Sequence, residues 1–157
     1  MENNLIDELN KVLTNTLDYK EVLHKFGDTV SHQVTQDKLN EFSKVADKES
    51  KTLIQLITSS GGDVETTERH TDHESLRWVS RPLPEPKNIE AVLACLIEAE
   101  RNKEQAYNRV LSHKDITREH KNSLDKHRRE AESNLKYFQT AKGALNRKDV
   151  TADKNAR

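Results

Sequence analysis

The feature that most constrains the fold is the stretch at residues 61–86, which separates two long segments with helical periodicity. It contains two of the four glycines and all three prolines of the chain: Gly61, Gly62, Pro82, Pro84 and Pro86. Glycine after an apolar run supplies the left-handed backbone that ends a helix. The prolines prevent a new helix until Asn88, which is a favourable N-cap. The chain is therefore predicted to form two helical hairpins joined by one connection.

The connection between the hairpins, residues 61–87, is far longer than the roughly two to eight residues that usually join helices in a bundle. A crossover of this length is expected to run along the bundle instead of turning tightly. The hairpins would then join as up, down, down and up, with helices two and three parallel. Trp78 is the single tryptophan and is expected to pin the crossover onto the bundle.

Apolar residues recur at alternating steps of three and four in four segments, as in amphipathic helices. The predicted helices span residues 4–31, 35–60, 88–112 and 116–145. Thr35 and Asp115 are the expected N-caps of the second and fourth helices. With the crossover, these helices form one all-α four-helix-bundle domain at residues 1–145. Residues 146–157 have almost nothing to bury and are predicted to be a flexible C-terminal tail.

The composition agrees with slender helices, because apolar residues make up only 32% of the chain and charged residues 34%. The 26 basic residues nearly balance the 27 acidic ones, so neither nucleic acid nor a membrane is an expected partner. No signal peptide is recognisable at the N-terminus, and no segment approaches the roughly 18 apolar residues of a membrane span. The only cysteine, Cys95, is expected to be a buried, reduced thiol. These features predict a cytoplasmic protein.

The positions at steps of three and four form one inward-facing seam on each predicted helix. Several polar residues occupy seam positions near the helix midpoints, where apolar residues would be expected. These mid-helix polar residues are Thr16, Lys20, Glu49, Glu100, Lys103 and His127. Carboxylates and imidazoles that project into a bundle centre can hold two metal ions, so Glu49, Glu100 and His127 are candidate ligands for iron or manganese. Helices two and four lack the Glu-x-x-His pair of such sites, however. Lys20 and Lys103 would instead neutralise the glutamates as buried ion pairs.

Two further stretches invite a functional interpretation. The loop His70-Thr71-Asp72-His73-Glu74 combines imidazoles and carboxylates, although a flexible loop lacks the preorganised ligands of a zinc site, and a solvated loop is the simpler interpretation. The basic run at residues 126–129 is interleaved with Glu130 and Glu132, which is typical of an exposed helix face.

The chain resembles an uncharacterised bacterial family of ferritin-like four-helix-bundle proteins over roughly residues 4–145. The resemblance lies in Leu9-Asn10, Gly61-Gly62, His73, Trp78, the run Cys95-Leu96-Ile97-Glu98-Ala99-Glu100, and Ala106-Tyr107. The chain departs from the family pattern by extra residues around Ser31 to Gln36. The resemblance implies an up-down-down-up bundle in the cytoplasm, often discussed alongside stress responses, with no settled activity.

Two functional hypotheses follow. The first is a non-enzymatic, ferritin-like bundle without a cofactor, which is stress-associated or binds a partner and forms a homodimer through helix faces. The second is a metal-binding oxidase or iron-handling protein with an irregular ligand set around Glu49, Glu100 and His127. Metal content distinguishes the two hypotheses.

Overall fold

The structure is a computed structural model that describes residues 4–31, 33–65 and 77–155. Within these ranges the chain is entirely helical, with four α-helices and no β-strand. The helices are α1 (Leu5–Thr29), α2 (Gln33–Ser59), α3 (Ile89–Leu111) and α4 (Arg118–Asn155). The all-α class predicted from periodicity is therefore confirmed. None of the described helices combines the length and the apolar character that a membrane crossing requires.

Three helix ends form through local chemistry, and two of them, at Gly61 and Asn88, agree with the sequence prediction. The Asn4 side chain accepts a hydrogen bond from the Asp7 backbone N–H at 2.8 Å, which caps α1. The Asn88 side chain does the same for the backbone N–H of Ala91 at the start of α3. After α2, Gly61 adopts a φ of 81°, a backbone conformation that residues other than glycine rarely adopt.

Other helix ends differ from the prediction. Helix α2 begins at Gln33, so Thr35 lies inside the helix instead of capping it. At α4, the Thr117 hydroxyl and not Asp115 accepts from the backbone N–H of the first turn, at His120. Helix α4 also continues through Asn155 instead of ending near residue 145, so the backbone of most of the predicted tail is helical. Its polar residues keep good helical propensity even where the sequence offers little to bury.

Helices α1 and α2 pack against each other along their lengths and run in opposite directions. Gly62, just after α2, lies against the Ile6 side chain near the start of α1. Farther along the pair, the Ser43 hydroxyl donates to the backbone carbonyl of Lys20 at 3.1 Å. Residue numbers that rise in one helix while they fall in the other define an antiparallel pair.

Helices α3 and α4 form the second antiparallel pair. The Asn134 side chain contacts Glu100, whereas His127, earlier in α4, contacts Tyr107, later in α3. Apolar side chains from all four helices join one core cluster, which also includes Trp78 and Val79 of the connection. The bundle therefore has a single core.

The predicted burial of Trp78 is confirmed, since only 3% of this residue is exposed. Its backbone N–H donates to the Asn15 side chain on α1, and its carbonyl accepts from the Asn102 side chain on α3. Its ring packs edge-on against Tyr19, with the ring centres 6.4 Å apart. Trp78 thus ties the connection to both α1 and α3. The loop of residues 70–74 and the rest of residues 66–76 lie outside the described residues.

Cys95 is only partly buried, so the prediction of a buried thiol is wrong in degree. The neighbouring positions Val92, Leu96 and Ala99 face the core, and Cys95 lies one residue off that stripe. Burial still raises the pKa of the thiol, as does Glu98, while Arg81 acts in the opposite direction. Cys95 therefore packs at the margin of the core.

Candidate functional site

Polar side chains meet in the interior of the bundle. Glu49 comes from α2, Glu100 and Lys103 come from α3, and His127 comes from α4, with 3%, 0%, 2% and 6% of these residues exposed. Tyr19, Tyr107 and Asn134 complete the set through hydrogen bonds. We call these seven residues the polar layer. Its members repeat at the helical spacing of the apolar seams, which brings them inward with the core residues.

The best-defined contact in the polar layer is an ion pair. The Lys103 ammonium Nζ lies 2.8 Å from Glu49 Oε1, and both side chains are almost completely buried. Burial alone would lower the Lys103 pKa, but the charges of Glu49 and Glu100 raise it above its ordinary value. Lys103 is therefore charged at neutral pH and stabilises its carboxylate partner.

Glu100 is held by two neutral donors. The Tyr19 hydroxyl and the Asn134 side-chain amide each donate to Glu100 Oε1 at 3.1 Å. The other carboxyl oxygen, Oε2, is buried without a hydrogen-bond partner. Burial raises the pKa of Glu100 to about 7, although Lys103 and the two donors oppose this shift. Glu100 therefore titrates near neutral pH.

His127 completes the layer from α4. Its Nδ1 lies 3.1 Å from the Tyr107 hydroxyl and 3.5 Å from Glu49 Oε2. Burial, followed by repulsion from Lys103, lowers the His127 pKa to about 4. The imidazole is therefore neutral at neutral pH, and it does not add a second positive charge beside Lys103.

One of the mid-helix polar residues, Lys20, does not join this network, whereas Thr16 contacts it. Lys20 was predicted to face the interior, but its ammonium pairs with Asp47 at 2.9 Å and 31% of its side chain is exposed. The adjacent Tyr19 takes the inward position instead. Thr16 is buried, and its hydroxyl, which donates to the Val12 carbonyl within α1, also contacts the Tyr107 hydroxyl of the polar layer. Lys20 is therefore partly exposed, although other predicted inward positions of α1, such as Leu13 and Leu23, are buried.

A groove of about 400 Å³ lies between α2 and α4, next to the polar layer. Its lining includes Lys48, Glu49 and Thr52 from α2 and Lys126, His127 and Glu130 from α4. We call it the α2–α4 groove. The basic run that begins at Lys126 is thus not simply an exposed face, since His127 is buried and Glu130 is half-buried. Glu130 also lines this groove, a position that the sequence did not indicate.

Sequence reasoning also missed the roles of Tyr19, Tyr107 and Asn134. All three occupy positions on or beside the predicted seams, so their burial was foreseeable. Their hydrogen bonds were not, because partners on other helices depend on the rotation of each helix about its axis. A buried tyrosine hydroxyl or amide needs a partner, which is the signal that could have linked them to the glutamates.

The contacts of the polar layer do not match a metal centre. Lys103 presents an ammonium group where a cation would be bound. Within the described part of the chain, no three histidine, cysteine or acidic side chains gather closely enough to hold a metal ion. The candidate ligands Glu49 and His127 lie together, but the bonded oxygen of Glu100 is directed to Tyr19 and Asn134.

Comparison of the chain with models of known protein families, with curated proteins and with solved structures finds no match.

Proposed function

We propose that the protein is a non-enzymatic, ferritin-like four-helix bundle that acts by binding a protein partner in the cytoplasm. The observation that carries this proposal is the ion pair of Lys103 with Glu49. Both side chains are buried in the interior of the bundle and satisfy each other's charge there. The stress-associated role is a further part of the proposal and comes from the family resemblance alone.

Contacts between the hairpins support an up-down-down-up arrangement. Thr35 near the start of α2 lines a groove with Ile89 at the start of α3, and Glu49 in mid-α2 pairs with Lys103 in mid-α3. Residue numbers that rise together in both helices are those of a parallel pair. This order requires a connection along the bundle, in agreement with the crossover at residues 61–87.

The closed interior supports binding over catalysis. Lys103 Nζ and Glu49 Oε1 are buried almost completely and satisfy each other's charge, so a substrate would have to displace an internal ion pair to reach these two atoms. Removal of one partner of such a pair leaves an uncompensated charge, which is strongly destabilising. These side chains are therefore suited to fix the packing of the helices.

The alternative function, a metal-binding oxidase or iron-handling protein, also has an observation in its favour. Glu49 Oε2 and Glu100 Oε2 are both buried without a hydrogen-bond donor, as free metal ligands would be. Against this, the Lys103 ammonium group already supplies a positive charge that interacts with both carboxylates, Glu49 and Glu100. The residues present fit an internal ion pair better than two metal ions.

Metal content separates the two functions. The protein would be produced without an affinity tag in medium supplemented with iron and manganese, purified without chelators and analysed by elemental mass spectrometry. The ion-pair account expects far less than one metal ion per chain. Stoichiometric iron or manganese that disappears in the Glu49→Gln variant would favour the metal-binding alternative.

Self-association through helix faces is the simplest form of partner binding. Sedimentation velocity over a wide range of protein concentrations tests it directly. A homodimer gives a concentration-dependent increase in sedimentation coefficient, whereas a constant monomeric value would require a different protein as the partner.

A further inference from the structure

The α2–α4 groove contains more unsatisfied negative charge than the rest of the described interior. Glu49 contributes Oε2, which has no hydrogen-bond donor although the side chain is only 3% exposed. Glu130 contributes a second buried oxygen, Oε2, that also has no donor. Both residues line the groove, together with the buried imidazole of His127. Two carboxylates thus meet at one place with unused acceptor atoms.

The formal charges at the floor of the groove do not cancel. Lys103 neutralises Glu49 through its bond to Oε1, and His127 is neutral at neutral pH. Glu130 has no close counter-charge: burial raises the pKa of its carboxyl group, Lys103 and Lys126 attract it, and its Oε2 has no hydrogen-bond donor in the structure. One additional positive charge with hydrogen-bond donors would complete the site.

We propose that the α2–α4 groove binds the primary ammonium group of a small zwitterion of the amino-acid class. An ammonium has three N–H donors, which match Glu49 Oε2, Glu130 Oε2 and the Thr52 hydroxyl at the groove. The volume of about 400 Å³ is within the usual range for small-molecule sites. Binding requires side chains at the groove, such as the half-buried Glu130, to turn, since the acceptor oxygens of both Glu49 and Glu130 are covered in the structure.

The rim of the groove indicates the chemistry of the other end of the ligand. Lys48 and Lys126 are exposed and line the same groove. They disfavour a second cationic end, as in a diamine, and attract a carboxylate. A divalent metal ion fits less well, because no three potential ligands gather within reach in the described residues. The groove therefore suits a ligand that is cationic at its inner end and anionic at its outer end.

The test uses the full-length protein, labelled with ¹⁵N and titrated with 5-aminopentanoate. Pentanoate, which lacks only the ammonium group, is the matched probe, and manganese chloride tests for a metal site. Amide shifts at Thr52 and Ser123 report on the groove. Glu130→Gln removes the unbalanced charge at nearly constant volume. Glu132→Gln is the control, because Glu132 lies on the same helix and pairs with Arg128 outside the groove.

We expect 5-aminopentanoate to shift the groove amides and pentanoate to leave them unchanged. Glu130→Gln should weaken binding about tenfold, as expected for the loss of a charged hydrogen bond, and Glu132→Gln should not. Four results would overturn the proposal: no shifts with 5-aminopentanoate, equal binding of pentanoate, unchanged affinity in Glu130→Gln, or manganese broadening centred on the groove. The wild-type shifts decide the matter even if a variant does not fold.

Discussion

The two titrating groups of the polar layer have opposite effects on stability, and single substitutions should reveal each effect. Glu100 has a folded pKa of about 7 against an ordinary value of 4.5. Its favourable contribution is complete below pH 4.5 and is lost as the pH rises through 7. His127 has a folded pKa of about 4 against an ordinary value of 6.5. Its contribution is complete above pH 6.5 and is lost as the pH falls through 4.

The two pH ranges overlap between 4.5 and 6.5. Within this overlap the folded state holds one extra proton on Glu100 and lacks one on His127, so the proton counts of the folded and unfolded states are equal for this pair. Each group alone changes the unfolding free energy by about 1.4 kcal/mol per pH unit, with opposite signs. The two effects cancel in the wild-type protein.

Removal of one group leaves the other uncompensated. In Glu100→Gln, the His127 contribution alone should raise the unfolding free energy by about 3 kcal/mol from pH 4.5 to 6.5 relative to the wild type. In His127→Gln, the Glu100 contribution should lower it by about the same amount. Differences from the wild type remove the effect of all other carboxylates.

The assay is urea unfolding followed by circular dichroism, at several pH values across this range for the wild type and both variants. The reasoning would be refuted if Glu100→Gln kept the pH dependence of the wild type, because Glu100 would then titrate as an exposed carboxylate. If the unfolding free energy, taken relative to the wild type, changed with pH in the same direction in both variants, the assignment for His127 would be contradicted.

Two further substitutions test the packing of the connection. Trp78→Ala should lower the unfolding free energy by about 3–5 kcal/mol, because it removes a large side chain buried between α1 and α3; an unchanged urea midpoint would mean that the connection is not docked. Gly61→Ala should destabilise by about 1 kcal/mol, because Gly61 has a φ of 81°. Differential scanning calorimetry checks this cost, and a neutral result would contradict the left-handed end of α2.

The parts of the fold that the sequence predicted are those fixed by local chemistry. Asn88 caps α3 through its own side chain, and Gly61 ends α2 through its own backbone freedom. Neither depends on which helix lies nearby. The periodicity of the apolar residues likewise defined four helices without knowledge of their neighbours.

The parts that could not be predicted depend on the rotation of helices about their axes. Lys20 and Tyr19 are adjacent in sequence, and a rotation of about 100° decides which of them faces inward. Packing against α3 favours Tyr19, since its hydroxyl finds Glu100. Glu130 similarly changes from an exposed residue to a groove residue because α4 turns that edge toward α2. Contacts between helices decide such positions.

The central claim is that Glu49 and Lys103 form a buried ion pair, and a double-mutant cycle tests it most directly. Glu49→Gln and Lys103→Met would be combined and their unfolding free energies measured at pH 7, with the partly exposed pair of Lys20 and Asp47 as the control cycle. Each substitution in the buried pair should cost about 3–5 kcal/mol, and the double variant should cost much less than their sum. Additive costs of about 0–1 kcal/mol each, no larger than those of an exposed pair, would contradict the claim.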